Sequence, residues 1–259
     1  MTAYSPGYRR ILHKMEFYQY QDGLIRRYME QNGAWDSHLQ RCRDYILRAV
    51  EKISPAKVTI LGSGWLLEVP LLELSERVNS VCLIDIIHPS EVVKQVSALK
   101  NVTLMEADIS GGLIKQIWDL TRGSFLFRKK IDAGQITIPD FRLPGDPGLV
   151  ISLNLLSQLD ALPVKMLREK ALIDENGISE FRKKLQEQHI AILKRQRSVL
   201  ISDYLEIFTT VSGETSEEKT MVAGLPACTM EEEWTWDFDS GGADFNRKRS
   251  VLKVKALII

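Results

Sequence analysis

A strand-length apolar run that ends in two closely spaced glycines constrains this 259-residue chain more than any other stretch. The run spans residues 58–61, is rich in β-branched side chains, and is followed directly by Gly62-Ser63-Gly64. Glycine tolerates positive φ and, because it lacks a Cβ, lets the backbone approach a bound ligand closely. Apolar periodicity resumes at Trp65 and predicts a helix there, whose free N–H groups would face the same ligand. The pattern therefore predicts the strand, turn and helix of a nucleotide-binding βα unit.

Two further apolar runs each contain an acidic side chain near their end. Residues 80–87 include Asp85, and residues 101–109 include Asp108. Strands this apolar are normally buried on both faces, as in a parallel sheet. Asp85 follows Gly62 by 23 positions, close to the roughly 20 expected for a carboxylate that accepts hydrogen bonds from ribose hydroxyls. The alternative is an Asp that only closes a strand and caps the following turn.

The order of strands and helical patterns predicts an α/β fold with a βαβαβ core. Right-handed crossovers would bring the carboxyl ends of the strands together along one rim, where open α/β sheets bind ligands. Later strands are predicted at 148–156 and 198–204, with a helix at 179–197 between them. Alternating residues at 233–238 and an apolar run at 250–258 predict a terminal antiparallel hairpin.

The chain divides into a helical start and a sheet-forming remainder. Residues 1–55 predict helices, one of them at 38–53 with Ser37 as its N-cap. This N-terminal cap either covers one edge of the sheet or forms a lid in which Tyr18, Tyr20 and Trp35 wall a pocket. Residues 56–259 would form the ligand-binding domain. A Gly- and Pro-punctuated insertion at about 110–148, with a short helix at 113–120, would lie beside the binding rim.

Composition excludes several classes of protein. The 34 basic and 34 acidic residues balance, so no global field attracts nucleic acid or an anionic membrane. No apolar run approaches the about 18 residues of a membrane-spanning helix, and charges throughout 1–30 exclude a secretory signal. Cys42, Cys82 and Cys228 are widely separated, and the four histidines lack ligand spacing. We therefore expect no disulfides, no metal site and a cytoplasmic location.

The order of these motifs resembles that of the class I S-adenosylmethionine-dependent methyltransferases. The resemblance extends from about Lys57 to the C-terminus, and it rests on ILGSGW at 60–65, LIDI at 83–86, MEAD at 105–108, GLVISLNLLSQL at 148–159 and VLISDY at 199–204. The terminal hairpin adds to it, because this family ends an otherwise parallel sheet with an antiparallel last strand. It implies a three-layer Rossmann-like methyltransferase fold with S-adenosylmethionine as the cofactor. Neutral charge and the lack of a nucleic-acid-binding module favour a small-molecule acceptor.

The resemblance implies where the methionine part of the cofactor would lie. Gly62-Ser63-Gly64 would wrap this part, and Ser152-Leu153-Asn154 would line the rim beneath the reactive methyl group. Trp65 would either wall the pocket or anchor the following helix.

It also implies the contacts of the adenosine part. Asp85 would hold the ribose hydroxyls, and Ile86 would pack on the adenine. Asp108, together with the backbone at Ile109, would contact the adenine amino group.

Two positions depart from the family pattern. Ile60 stands where the family usually has an acidic residue that binds the amino group of the cofactor, and Leu66 stands where it usually has a third glycine. These departures keep open a non-catalytic methyltransferase-like binding or scaffold protein. An NAD(P)-dependent oxidoreductase is a further alternative, but the position three after Gly64 is Leu67, so the G-x-G-x-x-G pattern is incomplete.

The sequence contains no fixed catalytic constellation. Methyl transfer mainly needs proximity, alignment and exclusion of water, with a base only for some acceptors. His88 is a conceivable base, but its position favours a turn residue. Asp203 and Tyr204 would lie on the binding rim and are equally consistent with turn residues. The catalytic residues are thus left unassigned.

Overall fold

The computed structural model describes residues 4–123, 128–242 and 248–259. Its helices are α1 (Pro6–Lys14), α2 (Phe17–Glu30), α3 (Asp36–Ile53), α4 (Leu71–Arg77), α5 (Ser90–Val96), α6 (Leu113–Thr121), α7 (Ala161–Lys170) and α8 (Glu175–Leu193). Its strands are β1 (Lys57–Leu61), β2 (Ser80–Asp85), β3 (Val102–Glu106), β4 (Lys129–Lys130), β5 (Leu149–Leu153), β6 (Ala171–Leu172), β7 (Ser198–Thr209), β8 (Thr215–Glu218), β9 (Thr229–Asp239) and β10 (Arg249–Ile258).

The main sheet has the strand order β3-β2-β1-β5-β7-β10-β9, and β8 pairs with β7. The first five strands in this order are parallel to one another, and β10 runs antiparallel to both β7 and β9. The predicted fold class is confirmed: a Rossmann-like methyltransferase sheet that is mostly parallel and ends in an antiparallel strand. The strands β4 and β6 form a separate two-stranded pair.

Helices cover both faces of the sheet and make it the middle of three layers. Successive side chains of a strand point to opposite faces. In β5, Ile151 packs in one apolar cluster with α3, α4 and α5, whereas Val150 packs in another with Ile190 and Leu193 of α8. All five residues of β5 are buried. The continuous apolar runs that predicted strands buried on both faces are explained by this arrangement.

The helix predicted to start at Trp65 is absent from that position, and this prediction was wrong. Residues 62–70 form successive turns, and α4 begins only at Leu71, after Pro70. Leu66 adopts a left-handed backbone with φ of 61°, which interrupts a right-handed helix. Proline at position 70 also disfavours helical conformation for the residue before it.

Left-handed backbone at a leucine requires compensation. It costs about 1–2 kcal/mol relative to a right-handed conformation. The Leu66 side chain is buried in the cluster with α3 and α4, and burying a leucine contributes about 1.5–3 kcal/mol. Burial therefore offsets the backbone strain, and the turn keeps its conformation without the usual glycine.

Other boundaries differ from the predicted ones by a few residues. Helix α3 starts at Asp36 with Trp35 at its N-cap, so Ser37 is not the cap. Helix α8 starts and ends four residues before its predicted bounds, and α7 was not predicted at all. The predicted insertion contains α6 and a short 3-10 helix at Ala133–Gln135, and its residues 124–127 lie outside the described part of the chain.

The three cysteines are free thiols. Over the described residues, no helix combines the length and the apolar character that a membrane span needs.

A tight contact between the loop before β5 and the start of β1 gives the first test of this fold. Gly148 has φ of 65°, and a Cβ there would overlap the Lys57 carbonyl oxygen. Gly145 has nearly the same φ, 64°, but a Cβ there would have no neighbour within 4 Å. We expect Gly145→Ala to lower the free energy of unfolding by about 1 kcal/mol through backbone strain. Gly148→Ala should lower the free energy of unfolding by about 1–3 kcal/mol more than Gly145→Ala does, because the added methyl group overpacks the contact with Lys57. Urea denaturation of both variants checks this, and equal losses would contradict the contact.

A buried histidine gives a pH-dependent test. Burial lowers the pKa of His189 to about 4, whereas an unfolded histidine has a pKa of about 6.5. As pH falls from 6.5 to 4, the unfolded chain therefore binds a proton that the folded chain refuses, and folding stability decreases. The slope is at most roughly 1.4 kcal/mol per pH unit. We expect His189→Gln to flatten urea-unfolding stability between pH 6.5 and 4.5 relative to the parent, while His13→Gln, at an exposed position, leaves the slope unchanged.

Candidate functional site

The main cavity opens at the carboxyl edge of the sheet, where β1, β2, β3 and β5 end beneath α2. It contains about 1090 Å³ of empty space, including the part open to solvent. Its polar side chains are Tyr20, Gln21, Glu68, Asp85, Ser110, Asn154 and Gln158. Its apolar and aromatic lining includes Phe17, Leu24, Trp35, Trp65, Leu67, Ile86, Ile109, Leu153 and Trp236. This is the rim that the parallel sheet predicted for ligand binding.

The two glycines of the turn after β1 have different surroundings. Gly62 has φ of 78°, and a Cβ there would lie 2.8 Å from the Leu153 carbonyl oxygen. Its N–H donates to the Ile84 carbonyl at 2.9 Å, which holds the turn against β2. Gly64 has φ of 47° and borders the cavity, with no atom within 4 Å of the position a Cβ would take. Gly62 thus permits close packing, and Gly64 leaves its backbone open to a ligand.

Asp85 is held in place by backbone donors. The N–H of Gly64 donates to its Oδ2, and the N–H of Ile86 donates to its Oδ1, both at 2.7 Å. The Gln21 side chain on α2 adds a donor at 3.4 Å. Burial raises the pKa of Asp85, and the hydrogen bond from Gly64 is the largest effect that opposes the rise. The carboxylate therefore joins the glycine turn to the end of β2 at the floor of the cavity.

Trp65 joins the turn to the N-terminal helices. Its indole N–H donates to the carbonyl oxygen of Gln21 at 2.9 Å, and its side chain lines the cavity. Because no helix starts at this residue, Trp65 does not anchor the following helix, and its side chain lines the cavity instead. Of the three aromatic residues predicted for a lid, Tyr20 and Trp35 line the cavity. The Tyr18 ring instead packs near the His13 ring, with 5.5 Å between the ring centroids.

Only some of the residues that the resemblance implies for adenine binding line the cavity. Ile86 and Ile109 line it, but Asp108 does not. The Asp108 carboxylate accepts from the Tyr8 hydroxyl at 2.7 Å and from the Ser110 N–H at 3.0 Å. Burial and the nearby Asp108 carboxylate raise the pKa of Tyr8, so the phenol stays a donor. Helix α1 therefore binds the acid that the resemblance implied for adenine.

The strand alternation of β5 divides the predicted segment Ser152-Leu153-Asn154. Leu153 and Asn154 line the cavity. Ser152 does not, because its side chain points to the opposite face of the sheet, where its hydroxyl lies 2.8 Å from Nε2 of His189 on α8. Ser63 is buried as well and does not line the cavity, and its hydroxyl has no protein partner.

A polar and aromatic cluster that the sequence did not predict extends the cavity toward β9. The indole N–H of Trp234 donates to Nδ1 of His38 at 3.0 Å, and the His38 ring stacks on Trp236 with centroids 3.9 Å apart. The Nε2 of His38 lies 3.1 Å from the side-chain amide of Asn154 and 3.9 Å from the Glu68 carboxylate. Alternation along β9 was visible in the sequence, but nothing in it placed α3 beside that strand.

The three residues considered for proton transfer lie away from the cavity. His88 has Nε2 at 3.2 Å from the Met105 carbonyl oxygen. Asp203 and Tyr204 are within β7, not in a turn, and they contact the Ser157 hydroxyl and the Glu233 carboxylate, respectively. Within the described ranges, no group of three or more His, Cys, Asp or Glu side chains is arranged to hold a metal ion.

Comparisons with known proteins give structural matches only. No protein-family model and no curated protein matches the chain. One similar structure is the 1,6-didemethyltoxoflavin-N1-methyltransferase of Burkholderia thailandensis with bound S-adenosylhomocysteine, with 10% identity, 99% and 92% of the two chains covered and a TM-score of 0.38. The N-methyltransferase NodS of Bradyrhizobium japonicum, also with S-adenosylhomocysteine, has 8% identity, 83% and 85% coverage and a TM-score of 0.34. The YcgJ protein of Bacillus subtilis has 11% identity, 85% and 97% coverage and a TM-score of 0.41. Similarity at this level does not identify an activity for this chain.

The link between the turn and α2 can be tested by hydrogen exchange. Trp65→Phe keeps an aromatic ring but removes the hydrogen bond to Gln21, which is worth about 0.5–1.5 kcal/mol. We expect backbone amides of α2 to exchange about 2- to 10-fold faster in this variant. Trp118→Phe on α6 serves as the control. Unchanged exchange in α2, or equal changes in both variants, would show that Trp65 does not hold the helix over the cavity.

Proposed function

We propose that this protein is an S-adenosylmethionine-dependent methyltransferase that acts on a small molecule. One observation carries the proposal: open backbone at Gly64 lies beside the buried Asp85 carboxylate, at the floor of a cavity on the carboxyl edge of the sheet. A ligand with a flat aromatic ring, hydroxyl groups and a polar chain fits such a surface. S-adenosylmethionine has all three.

Unpartnered polar atoms around the cavity support a polar ligand. The side-chain oxygens of Gln21 and Asn154 are buried and have no hydrogen-bond partner in the protein, although both residues line the cavity. A buried polar atom without a partner is unfavourable by about 1–3 kcal/mol. A cofactor that supplies donors at these atoms removes this penalty. The residues present therefore fit S-adenosylmethionine.

Each part of the cofactor has a proposed set of residues. Gly62, Ser63 and Gly64 would provide backbone for the methionine part, with Trp65 as a wall. Asp85 would accept from the ribose hydroxyls with the lone pairs that its backbone donors leave free.

The remaining proposed residues would contact the adenine and the reactive methyl group. Ile86 and Ile109 would enclose the adenine, and Asp108 would reach its amino group beside Tyr8. Leu153 and Asn154 would line the space beneath the reactive methyl group, with Ser152 contributing through its backbone.

Methyl transfer requires the protein mainly to position the cofactor and the acceptor. When bound, the cofactor supplies a methyl group already activated by its positive sulfur. The chain would align the acceptor with that group and keep water away, chiefly through Phe17, Leu24, Trp35 and Trp236, which enclose the cavity. In this proposal residues 1–55 act as the cap, and residues 56–259 form the cofactor-binding domain.

The turn at residues 62–70 bears on the two alternative functions, an NAD(P)-dependent oxidoreductase and a non-catalytic binding protein. A pyrophosphate of NAD(P) would require a helix N-terminus after β1, whereas residues 62–70 contain none. A non-catalytic binding protein would keep the same cofactor cavity, so the measurement of methyl transfer separates it from an enzyme.

The proposal is tested by isothermal titration with S-adenosylmethionine, S-adenosylhomocysteine and NADH. We expect micromolar binding of the first two, weakened about 10-fold or more in Asp85→Asn because hydrogen bonds to a charged acceptor are lost. Asp146→Asn, at an exposed carboxylate, should leave binding unchanged.

The other outcomes are equally informative. Lack of binding by both sulfur compounds, or binding of NADH alone, would overturn the cofactor assignment. Binding without methyl transfer to any acceptor in a screen of small-molecule nucleophiles would favour the scaffold alternative.

A further inference from the structure

The charges that line the main cavity are all of one sign. Within residues 4–123, 128–242 and 248–259, its lining contains the carboxylates of Glu68 and Asp85 and no Lys, Arg or His side chain. A carboxylate in a partly desolvated cavity is unfavourable unless hydrogen bonds or a positive charge compensate it. The two carboxylates differ in how far the protein does this.

Asp85 is compensated by the protein, whereas Glu68 is not. Two backbone N–H groups donate to Asp85 at 2.7 Å. Glu68 receives one side-chain amide, from Asn154, at 3.3 Å, and its own side chain is only 18% exposed. Arg43 is on the adjacent part of α3, but its guanidinium donates to the carbonyl oxygen of Leu67. Glu68 is therefore the carboxylate with the weaker compensation.

His38 does not supply the missing positive charge. Its Nε2 lies 3.9 Å from Glu68, but its Nδ1 lies 3.0 Å from the indole nitrogen of Trp234. An indole N–H can only donate, so Nδ1 must carry a lone pair. A ring with a lone pair on Nδ1 is not an imidazolium. Nε2 then carries the ring N–H, so its 3.1 Å contact with Nδ2 of Asn154 is not a hydrogen bond, and it is too far from Glu68 for one. His38 thus packs beside Glu68 without neutralising the carboxylate.

The chemistry of the proposed cofactor narrows the cation that Glu68 would bind. A sulfonium carries no proton and cannot donate a hydrogen bond, whereas an ammonium group has three N–H donors. An acceptor amine must be unprotonated to attack the methyl group, and a neighbouring carboxylate would stabilise its unreactive protonated form. The α-ammonium group of the cofactor is protonated throughout the reaction and meets both conditions.

We propose that Glu68 binds the α-ammonium group of the cofactor, in an aromatic-walled recess formed with Asn154, Trp35 and Trp236. This inference rests on the proposed function, because it assumes a cofactor with an amino-acid end. The carboxylate accepts N–H donors of the ammonium group, which supplies the positive charge that the described lining of the cavity does not. Glu68 is then a binding residue, and His38 packs behind it at 3.9 Å.

The experiment compares two ligands that differ in the amino-acid end. S-adenosylhomocysteine carries the α-ammonium group and no sulfonium, and 5′-methylthioadenosine carries neither. Both are titrated into the parent protein, into Glu68→Gln, and into Glu73→Gln, a control at an exposed position on α4. We expect Glu68→Gln to weaken S-adenosylhomocysteine about 10- to 100-fold and to leave 5′-methylthioadenosine unchanged. Glu73→Gln should bind both ligands as the parent does.

Stability separates binding from a structural role. Glutamine at position 68 still accepts from Asn154 but removes a weakly compensated charge, so the thermal midpoint of the ligand-free protein should be unchanged or higher. A lower midpoint, or equal weakening of both ligands, would overturn the assignment. Unchanged S-adenosylhomocysteine affinity with a raised KM for an amine acceptor would place the cation on the acceptor instead. If the parent protein binds neither ligand, the proposed function fails before Glu68 is at issue.

Discussion

The hydrogen bond from Gly64 to Asp85 is the contact on which the site depends. It joins the turn after β1 to the end of β2. Gly64 borders the cavity, and beyond its chain neighbours no atom lies within 4 Å of the position that a Cβ would take. Trp65 and Gln21 extend the same connection to α2, so that the N-terminal helices close over the edge of the sheet. A buried carboxylate with two short backbone bonds is difficult to displace, because losing either bond leaves the buried charge with less compensation.

The irregular turn at 62–70 decides how this site differs from an ordinary βα unit. Its left-handed Leu66 is tolerated because the side chain is buried. The delayed start of α4 removes the helix N-terminus that would otherwise attract a pyrophosphate. The same turn carries Glu68 into the cavity. Ile60, where the resemblance leads us to expect a carboxylate, is fully buried within the sheet. In the assignment proposed above, Glu68 would take over the role of that carboxylate.

The N-terminal helices contribute more than a cover for the sheet. Helix α3 brings Trp35 and His38 against β9, where stacking with Trp236 builds one wall of the cavity. Helix α1 places Tyr8 on Asp108. These contacts bring residues that are far apart in the sequence together around one cavity.

The sequence by itself determined the sheet and the turn after β1. Strand-length apolar runs and closely spaced glycines are local patterns, and they favour buried strands and tight turns wherever they occur. Gly62, Gly64 and Asp85 were predicted from such local patterns, whereas Ile86 and Leu153 were implied only by the resemblance, and all five line the cavity. Tertiary structure decided the rest. Whether Ser152 or its neighbours face the cavity depends on the register of β5, and the weak compensation of Glu68 depends on the Trp234–His38 hydrogen bond between β9 and α3. Charge compensation is a property of side chains brought together by folding, and no local pattern contains it.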